Sequence, residues 1–169
     1  MPLSMYQSSI PVFIKTLMSL KSILEKGAAH AQAKKIDETV LLQSRLYPDM
    51  LPLTAQVQIA ADMARGGVDR LTGNDPASWD DNEKTFAELI ARLDRTIEHL
   101  KSFNERQLDG AETRSVTRKL RGQPKTFTGV NYLQQFVLPN LFFHATTTYG
   151  ILRHNGVDLG KLDFLGPLD

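Results

Sequence analysis

Apolar residues recur every three or four positions along most of the chain, and this period predicts an all-α fold built from four long helices. The longest apolar stretch, Asn131–Gly156, is predicted to form the last helix, at the centre of the bundle. The core-facing stripe of this helix comprises Leu133, Val137, Asn140, Leu141, His144, Thr148, Ile151 and Leu152. Two polar residues, Asn140 and His144, therefore lie one turn apart on a buried face.

The first helix is predicted over about Ser4–Lys26, with Gly27 as its stop. Pro11 lies within this segment, where it either occupies the first turn or kinks a longer helix. The kinked helix is the preferred interpretation. The alanine-rich segment Ala28–Lys35 either prolongs this helix or forms a short helix of its own.

The second long helix follows a connector with a short helical turn at Thr39–Gln43, which Asp37 is predicted to cap. This helix is predicted to run from a cap at Asp49 to Leu71. Its buried stripe is rich in alanine, which allows a neighbouring helix to approach closely, and Gln56 is the strongly polar member of the stripe. Its polar face is assigned to Gln58, Asp62, Arg65 and Asp69.

The third long helix is predicted to begin after a loop rich in turn-forming residues. Asp80 or Asp81 is the expected cap, because a carboxylate accepts hydrogen bonds from the first N–H groups of a helix and suits its dipole. The buried face is marked by Phe86, Leu89, Ile90, Leu93, Ile97 and Leu100. His99 falls off this face, so it is predicted to be solvated.

Residues 113–128 are predicted to form a short β-hairpin inserted before the last helix, because β-branched and charged residues alternate around Arg121–Pro124. The segment carries a cluster of cations, namely Arg114, Arg118, Lys119, Arg121 and Lys125. They either grip the phosphates of a nucleic acid or protect a solvated sheet edge. The absence of aromatic residues between them favours the second interpretation.

Length, charge and composition narrow the class of protein. A chain of 169 residues suits a single domain over residues 1–169. The net charge of +1 gives no general attraction to nucleic acid or anionic lipid, and the absence of cysteine excludes disulfides and thiolate chemistry. The sequence shows no signal-peptide pattern and no run of about 18 apolar residues, so we expect a cytoplasmic protein without a membrane span.

The final segment, residues 157–169, is too apolar to be a free tail. We expect it to pack across the bundle or against a partner subunit. Together with the alanine-rich second helix, it offers more apolar surface than a monomer usually leaves exposed. A homodimer is therefore the expected assembly.

Two segments carry a resemblance to a known family: YPDMLPLTAQVQIAADMARG, at Tyr47–Gly66, and HATTTYGILRHNGVDLGKLDFLG, at His144–Gly166. They resemble an uncharacterised, domain-of-unknown-function branch of the DinB/YfiT-like superfamily of bacterial four-helix bundles. The resemblance covers nearly the whole chain. It implies a four-helix bundle of the DinB-like type that pairs as a homodimer.

The resemblance also implies a divalent-metal site of three histidines, one on the second helix and two spaced four apart on the last helix. Aligning Ile151–Gly156 with the family's ending places one of that pair at His144 and the other at Asn140. The second helix has no histidine, and Gln56 or Gln58 is the nearest residue to that position. One imidazole with amide oxygens is a poor ligand set for zinc, nickel or manganese.

The leading hypothesis is therefore a small-ligand-binding or cryptic protein with a degenerate metal site in the bundle core. The expected pocket contains His144, Asn140, Gln56 and Tyr149, and His144 is the candidate metal ligand. A neutral core histidine that hydrogen-bonds Asn140 or Gln56 is the simplest interpretation of His144. The alternative that the resemblance implies is a metal-dependent thiol transferase or hydrolase. The second alternative is phosphate or nucleic-acid binding through the hairpin, which the balanced charge disfavours.

Overall fold

The computed structural model describes residues 3–167 and shows a helical bundle with one β-hairpin before the last long helix, as predicted. The long helices are α1 (Ile10–Lys34), α3 (Leu53–Leu71), α4 (Phe86–Lys101) and α6 (Leu138–His154). The short helices are α2 (Glu38–Leu42), α5 (Gly129–Tyr132) and α7 (Lys161–Leu165), and the strands are β1 (Ser115–Leu120) and β2 (Gln123–Thr128). A 3₁₀ turn covers Glu105–Leu108, and a π-helical turn covers Leu133–Val137.

Helix α1 is one continuous helix, and the predicted kink at Pro11 is wrong. The helix begins at Ile10, so that Pro11 lies in the first turn, where its missing N–H group leaves no hydrogen bond unmade. Gly27 does not stop the helix. A Cβ atom there would lie 3.1 Å from Phe86 and 3.2 Å from Leu152, so this glycine lets two neighbouring helices pack closely. The alanine-rich segment prolongs α1, which ends at Lys35 in the left-handed conformation.

Helix α3, rather than the last helix, lies at the centre of the bundle. It buries 14 of its 19 residues, whereas α6 buries 6 of 17. The two helices pack along their length, and α4 packs against the other side of α3. The predicted Asp49 cap is also wrong, because α3 starts at Leu53 after Pro52. The Asp37 cap of α2 is present, with Asp37 accepting from the backbone N–H of Thr39 at 2.9 Å.

Helix α4 begins several residues later than predicted. Thr85, and neither Asp80 nor Asp81, is its cap, and Glu88 completes a reciprocal capping box. The Thr85 hydroxyl accepts from the Glu88 N–H at 3.1 Å, and the Glu88 carboxylate accepts from the Thr85 N–H at 3.0 Å. The two aspartates are consequently part of a long loop, residues 72–85, that crosses from α3 to α4.

The hairpin has the predicted position. Strands β1 and β2 pair antiparallel from Ser115 opposite Thr128 to Leu120 opposite Gln123. Arg121 and Gly122 form the two-residue turn, both with positive φ, which is the conformation that suits a right-twisted hairpin.

The last helical segment is interrupted near its start. The sequence predicts one helix over 131–156, whereas the structure has α5, the π-turn Leu133–Val137 and then α6. Pro139 explains the interruption, because its ring displaces the carbonyl of the residue four positions earlier and it donates no hydrogen bond. The wider π-turn accommodates this displacement without breaking the helical path.

The apolar tail packs across the bundle. Lys26 of α1 forms an ion pair with Asp163 of α7 at 2.7 Å, and the Phe164 ring meets the Tyr149 ring at a centroid distance of 6.2 Å. The predicted tail extends to Asp169, and its last two residues lie outside the described residues. The described part of the tail therefore packs against both α1 and α6.

Substitutions at Gly129 and Gly150 form a matched test of how closely neighbouring segments pack at these two positions. A Cβ atom at Gly129 would lie 1.8 Å from the backbone oxygen of Ala111, so Gly129→Ala forces a backbone shift and should cost at least about 2 kcal/mol of unfolding free energy. At Gly150 the same atom would lie 3.5 Å from Leu46, an ordinary contact, so Gly150→Ala should stabilise α6 by about 0.5–1 kcal/mol. Urea unfolding measures both changes, and equal effects would contradict the described packing.

Candidate functional site

The polar contact predicted for the bundle core is present between α6 and α3. The Nδ1 atom of His144 lies 2.7 Å from the Oε1 atom of Gln56, whose side chain is almost fully buried. The amide nitrogen of Gln56 donates to the backbone oxygen of Leu51 at 3.0 Å, which fixes the orientation of the amide. Because Oε1 can only accept a hydrogen bond, the proton of this contact resides on His144 Nδ1.

The second nitrogen of His144 is available for chemistry. Burial lowers the pKa of His144 below its ordinary value, so the ring is neutral at pH 7 and its Nε2 atom carries a lone pair. Within residues 3–167, Nε2 makes no hydrogen bond, and it is not among the fully buried nitrogens that lack a partner. The atom therefore reaches solvent beside Phe143, whose ring meets the imidazole edge-on at 5.2 Å.

The other residues predicted for this pocket point elsewhere. Asn140 donates to the backbone oxygen of Phe136 at 2.6 Å, within the π-turn, and makes no hydrogen bond to His144. Tyr149 packs against Phe164 of α7. Gln58, the alternative to Gln56, donates to Glu83 at 2.8 Å on the other side of α3. The structure thus brings together His144 and Gln56 alone of the predicted set.

This arrangement does not fit a tightly bound divalent metal. Zinc and nickel sites in proteins draw their affinity from several imidazole, thiolate or carboxylate ligands. Here one imidazole faces one amide, and their hydrogen bond occupies Nδ1 and the amide oxygen, so Nε2 of His144 is the one imidazole nitrogen left to bind a metal. Across residues 3–167, no group of three or more histidine, cysteine, aspartate or glutamate side chains is arranged to hold a metal ion.

The polar stripe of α3 that was expected to face solvent is largely buried. Gln58, Arg65 and Asp69 are each less than a tenth exposed. They face α4 and the loop 72–85, where the buried Arg92 is the centre of an ion network. The Arg92 guanidinium contacts carboxylates of Asp62 at 3.0 Å, Asp81 at 2.9 Å and Glu83 at 2.9 Å.

Hydrogen bonds favour the charged form of Glu83 in this network. Burial alone would raise the pKa of Glu83, but hydrogen bonds from Gln58 and Arg92 bring it below its ordinary value. The Asp80 backbone oxygen also accepts from Arg92 at 3.0 Å, so the network fastens the loop to α4. The pattern of polar residues along a helix is the same whether water or a loop covers that face. The helical period therefore could not predict this cluster.

His99 was predicted to be solvated, and this prediction is wrong. Its Nε2 atom lies 2.7 Å from the Asp69 carboxylate, and only a third of its side chain is exposed. The ring of Trp79, in the loop, lies against the guanidinium groups of Arg95 at 3.6 Å and Arg65 at 4.4 Å. One feature of the sequence could have predicted this enclosure of His99, namely the length of the loop that carries the sole tryptophan of the chain.

The basic hairpin uses part of its positive charge within the molecule. Arg114 donates to the Leu71 backbone oxygen, at the end of α3. Arg118 lies over the Phe136 ring at 5.9 Å, and Lys125 lies over the Phe127 ring at 5.1 Å. These contacts favour a structural role, and the lack of meaningful nucleic-acid binding at physiological salt stays a prediction. Among residues 3–167, no helix has the length and apolar character needed to cross a membrane.

Comparisons with known proteins give the family of the chain. A family model described as Domain of unknown function (DUF1993) matches residues 5–165. The crystal structure of a DinB family member protein from Shewanella denitrificans shares 44% sequence identity with this chain, with a TM-score of 0.91. The match covers 96% of this chain and 92% of that one. No curated protein matches.

The family match and the structural match agree over nearly the full length, and both agree with the helical bundle and inserted hairpin described above. The described residues place the hairpin between α4 and α6 and keep α3 in the centre. This chain therefore belongs to the DUF1993 family of DinB-like helical bundles.

Proposed function

We propose that the protein binds a small organic ligand at His144 and does so without a tightly bound divalent metal. The observation that supports the proposal is the hydrogen bond between His144 Nδ1 and Gln56 Oε1. It holds the imidazole in one tautomer and leaves Nε2 as a hydrogen-bond acceptor. Because Nε2 reaches solvent and has no protein partner among the described residues, a ligand can bind it without displacing a protein hydrogen bond.

The surroundings of His144 indicate the class of ligand. A neutral imidazole nitrogen accepts a hydrogen bond from a hydroxyl, amide or thiol group. Exposed apolar side chains lie nearby, since Phe143 precedes His144 and the Leu51 backbone holds the Gln56 amide. We therefore propose a ligand with one hydrogen-bond donor and an apolar body. A metal-dependent thiol transferase or hydrolase is the competing function, and metal titration separates the two.

We further propose that the protein forms a homodimer through the surface beside this site. Of the two predicted sources of apolar surface, α3 is buried, and α7 packs on α1 but leaves Leu162 70% exposed. Exposed apolar residues also occur on the connector 43–52, where Leu46 lies against α6 near Gly150, and on α6 itself. Leu46, Tyr47, Leu51 and Phe143 are 42–66% exposed, and we call them the connector face.

Metal titration tests the main proposal. Zinc, nickel and manganese are added to metal-free protein purified without a histidine tag, and binding is followed by calorimetry. We expect no stoichiometric site tighter than on the order of 1 μM, because one imidazole and one amide are too few strong ligands. A sub-micromolar site that is lost in His144→Ala but retained in His154→Ala would establish the metalloenzyme alternative instead. Native mass spectrometry of the same preparation reports any retained organic ligand.

The pH dependence of stability tests the state of His144. Its pKa in the folded protein is lowered by burial, so the unfolded chain binds a proton more readily as pH falls through about 6.5. The wild type should therefore lose stability on acidification to about pH 5, and His144→Gln should lose less. The three other histidines are the same in both proteins, so the difference in unfolding free energy isolates His144. Identical pH profiles would contradict the buried neutral imidazole.

The homodimer is tested by replacing one exposed apolar residue. Phe143→Ser should shift the protein toward monomer in sedimentation velocity at micromolar concentration, since it removes apolar area from the connector face. Met18→Ser is the matched control, because Met18 on α1 has the same exposed fraction, 57%, and lies outside that face. A wild-type monomer, or an equal effect of both variants, would reject this interface.

A further inference from the structure

A second cavity, with no residue in common with the His144 site, lies between α3, α4 and the loop 72–85. Its volume is about 530 Å³, which is within the range of small-molecule sites. The walls combine charged and aromatic side chains, chiefly Arg65, Asp69, Trp79, Arg95, His99 and Phe103. The cavity therefore offers both hydrogen-bond donors and apolar contact area.

Arg65 is a buried cation whose hydrogen bonds are incomplete. Its side chain is 6% exposed, yet the nearest carboxylate oxygens, of Asp62 and Asp69, lie 3.5 and 3.7 Å away. Its Nε atom is fully buried and has no partner among the described residues. One Asp69 oxygen is already bonded to His99 at 2.7 Å. A buried guanidinium is costly unless its donors are satisfied, and the long contacts of its terminal nitrogens leave Arg65, which lines the cavity, able to bind an acceptor.

Arg95 adds a second guanidinium at the same cavity. It stacks on the Trp79 ring at 3.6 Å, and within residues 3–167 no carboxylate lies within ion-pair distance of it. Arg92, in contrast, contacts three carboxylates and a backbone oxygen. The capacity to bind an added anion therefore resides in Arg65 and Arg95, which both contact Trp79, and not in Arg92.

We propose that this cavity binds a small organic carboxylate. The planar guanidinium fork matches the two oxygens of a carboxylate, and two such groups border the cavity. Asp69 and Asp75 also line it, and their negative charge disfavours a dianion such as a phosphate ester relative to a monoanion. Trp79 and Phe103 provide an apolar wall for the body of the ligand. The carboxylate lies against Arg65 and Arg95, and the apolar body lies against this wall.

The sole tryptophan makes the cavity directly observable, since Trp79 fluorescence reports this site alone. The probe is cyclohexanecarboxylate, which does not absorb at the excitation wavelength, added at constant ionic strength. We expect a saturable change in the wild type with a Kd on the order of 1 mM, as suits a ligand of few atoms. Arg95→Gln should raise the Kd about tenfold, and Arg95→Lys should raise it less, because the charge remains but the fork is lost.

Arg106→Gln is the control, because Arg106 is an exposed arginine on the 3₁₀ turn, and it should leave the Kd unchanged. Ligand-dependent increase of Tm provides a measurement that does not depend on the response of Trp79. Neutral cyclohexylmethanol should have no effect in either measurement. The proposal is overturned if cyclohexanecarboxylate changes neither fluorescence nor Tm, or if Arg95→Gln and Arg106→Gln behave alike. Tighter binding of inorganic phosphate would overturn the choice of a carboxylate.

Discussion

The close approach of α6 and the π-turn to α3 is the constraint on which the rest of the structure depends. Ala60, Ala61 and Ala64 are completely buried, and a Cβ atom at Gly67 would lie 2.8 Å from Val137. Side chains this small let two helix backbones come near each other. A Gln side chain on α3 can then reach a ring on α6, which it could not do across a layer of leucines. The small residues of α3 therefore make the Gln56–His144 hydrogen bond possible.

The opposite side of α3 buries charged side chains, whereas the side that faces α6 buries small ones. Arg65, Asp69 and Arg92 are removed from water, and buried ions need close partners. The loop 72–85 supplies several of these partners, and it is held in place by the same contacts. A segment without regular secondary structure thus covers buried charged side chains, and α3 separates two chemically distinct sites.

The sequence predicts those features that depend on local pattern. Helical periodicity located the long helices, and the alternation of β-branched and charged residues around Arg121–Pro124 located the hairpin. The stripe on the last helix also predicted that His144 would meet an amide of the second helix, and it does. The sequence predicts helix caps at Asp49 for α3 and at an aspartate of the loop 72–85 for α4, because aspartate suits that position. Thr85 caps α4 instead, since its Glu88 partner permits two reciprocal hydrogen bonds.

What could not be predicted depends on which element covers a surface. His99 and Arg65 lie on polar stripes, and such stripes face solvent in most helices. Only the path of the loop 72–85 decides that these stripes are enclosed, and loop paths leave little periodic signal. Asn140 shows the reverse case. It lies on the expected stripe, but its amide donates to the backbone carbonyl of Phe136, in the π-turn before it, and not to His144.

The π-turn Leu133–Val137 also sets how far α6 is rotated about the helix axis relative to α5. A π-turn holds one residue more than the α-helical path it replaces, and each residue turns a helix by about 100° and advances it by about 1.5 Å. A chain one residue shorter here would lack the extra residue of the π-turn. The hairpin, anchored by Phe127 against Tyr132, would then be rotated relative to His144. The hairpin and the Gln56 contact could not both be kept, so insertions and deletions within 133–137 are excluded by geometry.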